Sequence, residues 1–203
     1  MSAKKAMKPM VVDVAAEGKL LEAVKQARRD TAAIGSLLDA LGNRDGGVRP
    51  ESLVGGWALR WVPTAAALDA IGTGLHSMPG TSFEDLFLSI GTEKSRKVEA
   101  NEVLRVWGPF PSVRNVLSGS YAFDPSKGRL RITFSEMVDG LGNRLAAKDG
   151  STERAVDLAV RYVGPQVMIA AVGNEALVFE KVQSVREELI RLRVLKPKAD
   201  GDE

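Results

Sequence analysis

The side chains best suited to covalent chemistry are scarce in this chain. It contains no cysteine and one histidine, His76. Thiol nucleophiles, disulfides and thiolate metal sites are therefore excluded. His76 sits among glycines and a methionine in the loop-like stretch Thr73–Thr81, with no second histidine and no nearby acid. It is expected to be a structural or surface residue, and no metal site is expected. Gly-x-Ser-x-Gly is absent, and Ser118-Gly119-Ser120 falls inside a strand pattern, where small residues permit a bend or close packing. Gly55-Gly56, Gly72-x-Gly74 and Gly140-Leu141-Gly142 do not link a strand to a long helix, so none reads as a phosphate loop. Glu84, Asp85, Glu99 and Glu102 occupy ordinary surface positions in the pattern. With no converging acid, base and nucleophile, the expectation is a protein that is not an enzyme.

The chemistry that remains is apolar contact. In Gly55-Gly56-Trp57-Ala58-Leu59-Arg60-Trp61-Val62, alternation places Trp57, Leu59 and Trp61 on one face of a strand. Further candidates for an apolar lining are Leu88, Ile90, Tyr121, Phe123, Ile132, Phe134, Ile169 and Phe179. Such residues either fill a core or surround a bound molecule, and sequence parity leaves both open.

These residues must be placed by a sheet. The chain has 203 residues, enough for one domain with a sizeable core and terminal extensions. Residues 1–17 form an N-terminal extension. A helical segment, 18–50, carries Leu20, Val24 and Ala27, then Ile34, Leu37, Leu38 and Leu41 behind an Asp30 or Thr31 cap. Asn43–Pro50 reads as a polar linker. From 51 to 183 about eight strands follow one another, interrupted by a short helix, Ala65–Ile71, capped by Thr64. Residues 184–203 begin with a capping box, Ser184 to Glu187, whose helix carries Val185, Leu189 and Leu192 on one face, followed by a polar tail. Short connections make successive strands antiparallel neighbours, and eight such strands close best as an up-and-down barrel.

Charge adds little: 28 Lys and Arg against 26 Asp and Glu give +2, and the small basic clusters lack a nucleic-acid stripe. No run approaches the roughly 20 apolar residues of a spanning helix. The first residues carry lysines and methionines without the apolar core of a signal peptide or a full transit peptide.

Several motifs, taken in order, resemble the plastid lipid-associated protein family, the fibrillins or plastoglobulins. The resemblance runs from Leu20 to Val182. It covers the helix pair, the Gly-x-Trp-x-Leu strand at Gly55–Val62, and the apolar run Leu86–Ile90. It continues through Asn101 between valines, Arg129–Phe134, and the hairpin from Tyr162 to Phe179. The chain departs from the family at Trp61-Val62, which replace a Tyr-Thr pair. It also has Gly164 in place of an acid and Met168 and Ala171 in place of arginines. The resemblance implies a lipocalin-like barrel without catalysis, located in the plastid at plastoglobules or thylakoids. It implies binding of a hydrophobic small molecule (carotenoid, quinone or fatty acid) or of a lipid surface. Lipocalins share the Gly-x-Trp strand, so Gly55, Trp57 and Lys181 are expected to close one barrel end, with Trp61 as the ligand contact. The alternative is an accessory protein with a solid barrel, docked on a photosynthetic membrane complex.

Overall fold

Each alternating run finds its partner in the next run along the chain, and the last returns to the first. A computed structural model describes residues 12–42, 47–145 and 153–197. Its strands are β1 (Gly55–Trp61), β2 (Thr81–Ile90), β3 (Lys97–Val106), β4 (Val113–Asp124), β5 (Arg129–Val138), β6 (Arg154–Val163), β7 (Val167–Val172) and β8 (Glu175–Val182). They form a closed antiparallel barrel in sequence order, a lipocalin-like architecture. β1 pairs β8 from Gly56↔Val182 to Trp61↔Val178, which seals the sheet and leaves no edge. Of the two barrel ends, one lies where Gly55 pairs Ile90, the other where Thr81 pairs Val106.

Four register shifts interrupt the ladders: Leu59/Trp61, Phe83/Asp85, Ser118/Gly119 and Val160/Tyr162. An extra residue bends the strand and reverses which residues face inward beyond it. At the third shift a Cβ on Gly119 would fall 2.0 Å from the Thr133 carbonyl oxygen. Glycine is therefore needed there for two strands to approach, as expected for Ser118-Gly119-Ser120.

The helices follow local caps. Asp13 caps α1 (Val14–Lys25) and Thr64 caps α4 (Ala65–Ile71), each through a backbone N–H. Asp30 accepts from Ala32 and Ala33 ahead of α2 (Thr31–Gly42), and Ser184 accepts from Glu187 in α5 (Val185–Arg191). The first helix starts before Gly18 and stops at Lys25, so Ala27 lies outside it. A short turn of helix, α3 (Pro50–Leu53), occupies the end of the expected linker, with Pro50 in its first turn.

Two outer layers cover the barrel. The first packs Leu20, Leu21, Val24, Ile34, Leu38 and Leu41 of α1 and α2 on Tyr162, Val167, Ile169 and Val178. The second packs Leu189 of α5, with Val185, Leu192, Val194 and Leu195, on Ala58, Phe87 and Val103. Polar contacts lock α1 in place. Glu17 is fully buried, accepts from the Tyr162 hydroxyl at 2.5 Å and from the Gln166 N–H at 2.8 Å. Lys25 reaches Glu180 at 2.6 Å, and Arg60 bridges Glu180 at 2.7 Å and Asp85 at 3.1 Å.

Two predictions follow from the docking of α1. Tyr162→Phe leaves a buried carboxylate short of a donor and should lower the unfolding free energy by about 1–3 kcal/mol in urea titration. Burial alone would raise the Glu180 carboxyl, but the hydrogen bonds and charges of Lys25 and Arg60 outweigh it and hold it below its ordinary value. A lowered carboxyl stabilises the fold in full above the ordinary carboxylate range, and this contribution is lost as the pH falls through the folded value. The protection of the α1 amides, measured against their intrinsic exchange rates at each pH, should therefore fall on acidification ahead of protection in β4 and β5, which lack this clamp.

Candidate functional site

The barrel interior is the first place to look for a ligand. Trp57, Leu88, Ile90, Tyr121, Ile132, Phe134 and Phe179 all belong to one buried inner cluster, with Phe123 packed half-buried against it. Between Ile71, Leu88, Ile132, Phe134 and Phe179 lies an apolar space of about 10 Å³. That is room for about one water-sized sphere, and its apolar walls offer water no partner. Sites for small molecules are on the order of 300–1,000 Å³.

Both ends are stoppered. At the Gly55 end, Trp57 is fully buried and its indole N–H donates to the Leu53 carbonyl at 2.8 Å. Lys181 Nζ sits 4.1 Å from the Trp57 ring centroid and donates to the Val54 carbonyl. The cation on the indole face is worth about 0.5–2 kcal/mol, and desolvation lowers the Lys181 pKa. Gly55 adopts φ +124°, and a Cβ there would fall 2.7 Å from Lys181 Nζ. The lysine needs that vacancy to reach the ring.

At the Thr81 end, α4 sends Ala67, Leu68 and Ile71 into the inner cluster. Beneath the loop that follows lies a buried polar cluster. Glu102 is fully buried and points inward from β3, opposite Leu86 and Asn115. Its Oε2 accepts from the Thr73 N–H at 3.2 Å, the Thr73 hydroxyl, and Asn115 Nδ2 at 3.1 Å. Its Oε1 lies 3.3 Å from His76 Nδ1, and His76 Nε2 lies 3.4 Å from Asp69 of α4. Asn115 Oδ1 accepts from Gly140 N–H at 3.0 Å, and Arg154 donates to the Gly72 carbonyl. Burial lowers the Arg154 pKa, against the opposing pull of Asp69 and Glu102.

This cluster corrects two expectations. His76 has acids at both ring nitrogens, brought from seven residues before it and 26 after it. Glu102 is not a surface residue, and neither is Asp85, which burial raises above its ordinary carboxyl value despite Arg60. The bulge at Phe83/Asp85 and the inward parity of β3 created both burials, and neither leaves a motif in the sequence. Chemically the cluster is a latch: it ties α4, the loop behind it, β3, β4, β6 and the β5–β6 loop together. Among the described residues, Thr73, Asn115 and Asp69 are the polar groups packed against His76 and Glu102.

Two residues expected in the lining face the other way. Trp61 packs outside, against the α1–α2 layer. The bulge makes Leu59 pair inward-facing Phe179 and Trp61 pair outward-facing Val178, so the two residues no longer share a face. Ile169 also lies outside, between Tyr162 and Val178, while Met168 and Ala170 face the interior. Because β7 is apolar on both faces, alternation carried no signal there.

Beyond the barrel interior, two exterior features stand out. Small residues Ser89, Ser118, Ser120 and Ser135, flanked by Glu99 and Glu136, leave an open groove of about 740 Å³ on the outer face of β2–β5. The second is a rim at the Thr81 end. Met78, Trp107, Phe110 and Leu141 are 53%, 71%, 65% and 85% exposed. They occupy neighbouring loops: the Trp107 N–H donates to the Gly80 carbonyl at 2.9 Å, and Gly140 lies against Val113 and Arg114. Residues 146–152 of the β5–β6 loop lie outside the described residues.

Trp61→Ala should leave the interior intact and loosen the helix pair instead. The expected loss is about 1–3 kcal/mol, below that for a fully buried tryptophan, with faster exchange confined to α1 and α2. Glu102→Gln should cost about 1–3 kcal/mol in urea unfolding, because one of the donors converging on the carboxylate then meets an amide N–H.

No protein-family model, no curated protein and no solved structure matches the chain significantly.

Proposed function

We propose that this chain is a non-catalytic protein of plastid lipid surfaces, plastoglobule or thylakoid, that works through its exterior, with the barrel as a rigid scaffold. The observation that carries this reading is the packing across the barrel axis: the space the described residues leave between Ile71, Leu88, Ile132, Phe134 and Phe179 is about 10 Å³, too small for a carotenoid, quinone or acyl chain. Both ends are shut by buried, hydrogen-bonded stoppers, so entry of a ligand would require breaking the Trp57–Leu53 contact at one end or the Glu102–Thr73 contact at the other. The plastid setting is drawn from the motif resemblance between Leu20 and Val182. Docking on a photosynthetic membrane complex shares the solid barrel. The exposed apolar loops at the Thr81 end favour lipid over that alternative, since singly protruding aromatics suit a fluid apolar phase.

Purification from native membranes without detergent exchange, followed by organic extraction and mass spectrometry, tests the reading. The protein should be recovered in the lipid fraction with no stoichiometric carotenoid, quinone or acyl lipid. A one-to-one pigment or quinone would establish an internal carrier and overturn it.

A further inference from the structure

We propose that the rim formed by Met78, Trp107, Phe110 and Leu141 enters the apolar layer of a lipid surface, and that it does so without requiring anionic headgroups. The inference rests on the exterior reading above and names its contact site and the chemistry of its partner. The four side chains are among the large hydrophobic residues left most exposed by a fold that buries most others. All four stand at one end of the barrel.

Their loops are held from beneath. The Thr81 hydroxyl donates to the Leu75 and Met78 carbonyls at 2.7 and 2.8 Å, and Asn115 Oδ1 holds Gly140. Pro79, Pro109 and Pro111 restrict the backbone beside Met78 and Phe110. The apolar tips are thus presented outward on anchored roots, and little conformational freedom is left to lose on insertion.

The shape distinguishes lipid from a protein partner. Tips that are 53–85% exposed on three loops are convex. A rigid partner would need a matching pocket for each, whereas a fluid layer accommodates them together. Tryptophan and phenylalanine are suited to the boundary between headgroups and acyl chains.

Charge defines the surface further. The rim segments 78–84, 105–114 and 136–145 carry Arg105, Arg114 and Arg144 against Glu84, Glu136 and Asp139. Three positive and three negative groups cancel. Arg144 lies 3.3 Å from Glu136, and the Ser112 hydroxyl donates to Glu84 at 2.5 Å. Attraction to an anionic membrane would require a net basic face, and this face has none. Burial of apolar area remains as the driving force.

The test uses the full chain in flotation with vesicles of uncharged galactolipid and with vesicles containing phosphatidylglycerol, at about 0.05 and about 0.5 M salt. Binding should agree within about twofold across compositions and salt, and tryptophan emission should shift to the blue on binding. A Trp107→Ser/Phe110→Ser double variant should partition at least about tenfold more weakly and lose the shift. Its thermal midpoint should stay unchanged, because both residues are exposed.

Wild-type binding that vanishes at high salt or needs phosphatidylglycerol overturns the proposal. So does a double variant that floats as well as the wild type, which would leave the exterior reading standing with a different contact face. Emission that shifts only with solubilised membrane-protein complexes overturns it in favour of a protein partner. Failure of the wild type to float with any vesicle removes the underlying lipid-surface reading itself.

Discussion

Closure of eight strands sets the amount of space inside this protein, and every other feature adapts to it. A barrel of this size is wide enough for side chains to meet across the axis or for one small ligand. Here Phe134, Phe179, Ile132, Leu88 and Ile71 meet and take up the room. A filled interior must then be shut without buried, unpaired polar groups. The Gly55 end achieves this with an indole hydrogen-bonded to Leu53 and a lysine laid on its face. The Thr81 end uses a carboxylate, Glu102, whose oxygens are occupied by Thr73, Asn115 and His76. The two stoppers differ in chemistry, but each pairs its central polar group, the Trp57 indole N–H at one end and the Glu102 carboxylate at the other.

The exterior follows from the same economy of apolar surface. Strands β6 to β8 and β1 to β3 carry apolar residues on their outer faces as well as their inner ones, which in water demands a second layer. The α1–α2 pair and α5 supply it. Charge then orients the cover: Glu17 and Lys25 tie α1 to Tyr162 and Glu180 across more than 140 residues of sequence. Among the described residues, the outer face of β4 and β5 and the rim of loops at the Thr81 end carry no such layer. The rim is apolar, and its charges balance. In a scaffold closed inside and layered outside, the rim gathers the four most exposed large apolar side chains among the described residues.

The amino-acid sequence by itself determined the elements. Period-two runs, polar turns and the caps at Asp30, Thr64 and Ser184 are local signals, and they specify the strand count, antiparallel order, barrel closure and most helix positions. The Gly55–Trp57 motif was legible because its glycines and indole are distinctive types at fixed spacing. Tertiary structure alone decided the faces and the neighbours. A one-residue bulge at Arg60 turned Trp61 from the interior to the helix layer, and an apolar β7 gave no parity by which to place Ile169. His76, Asp69 and Glu102 meet only because β3 carries a charge inward under a loop that starts 30 residues earlier. Whether the barrel is hollow was likewise beyond the pattern. Side-chain alternation tells which residues point to the axis, but the free volume there is the small difference between two large quantities, the space enclosed by eight strands and the volume of the side chains that enter it.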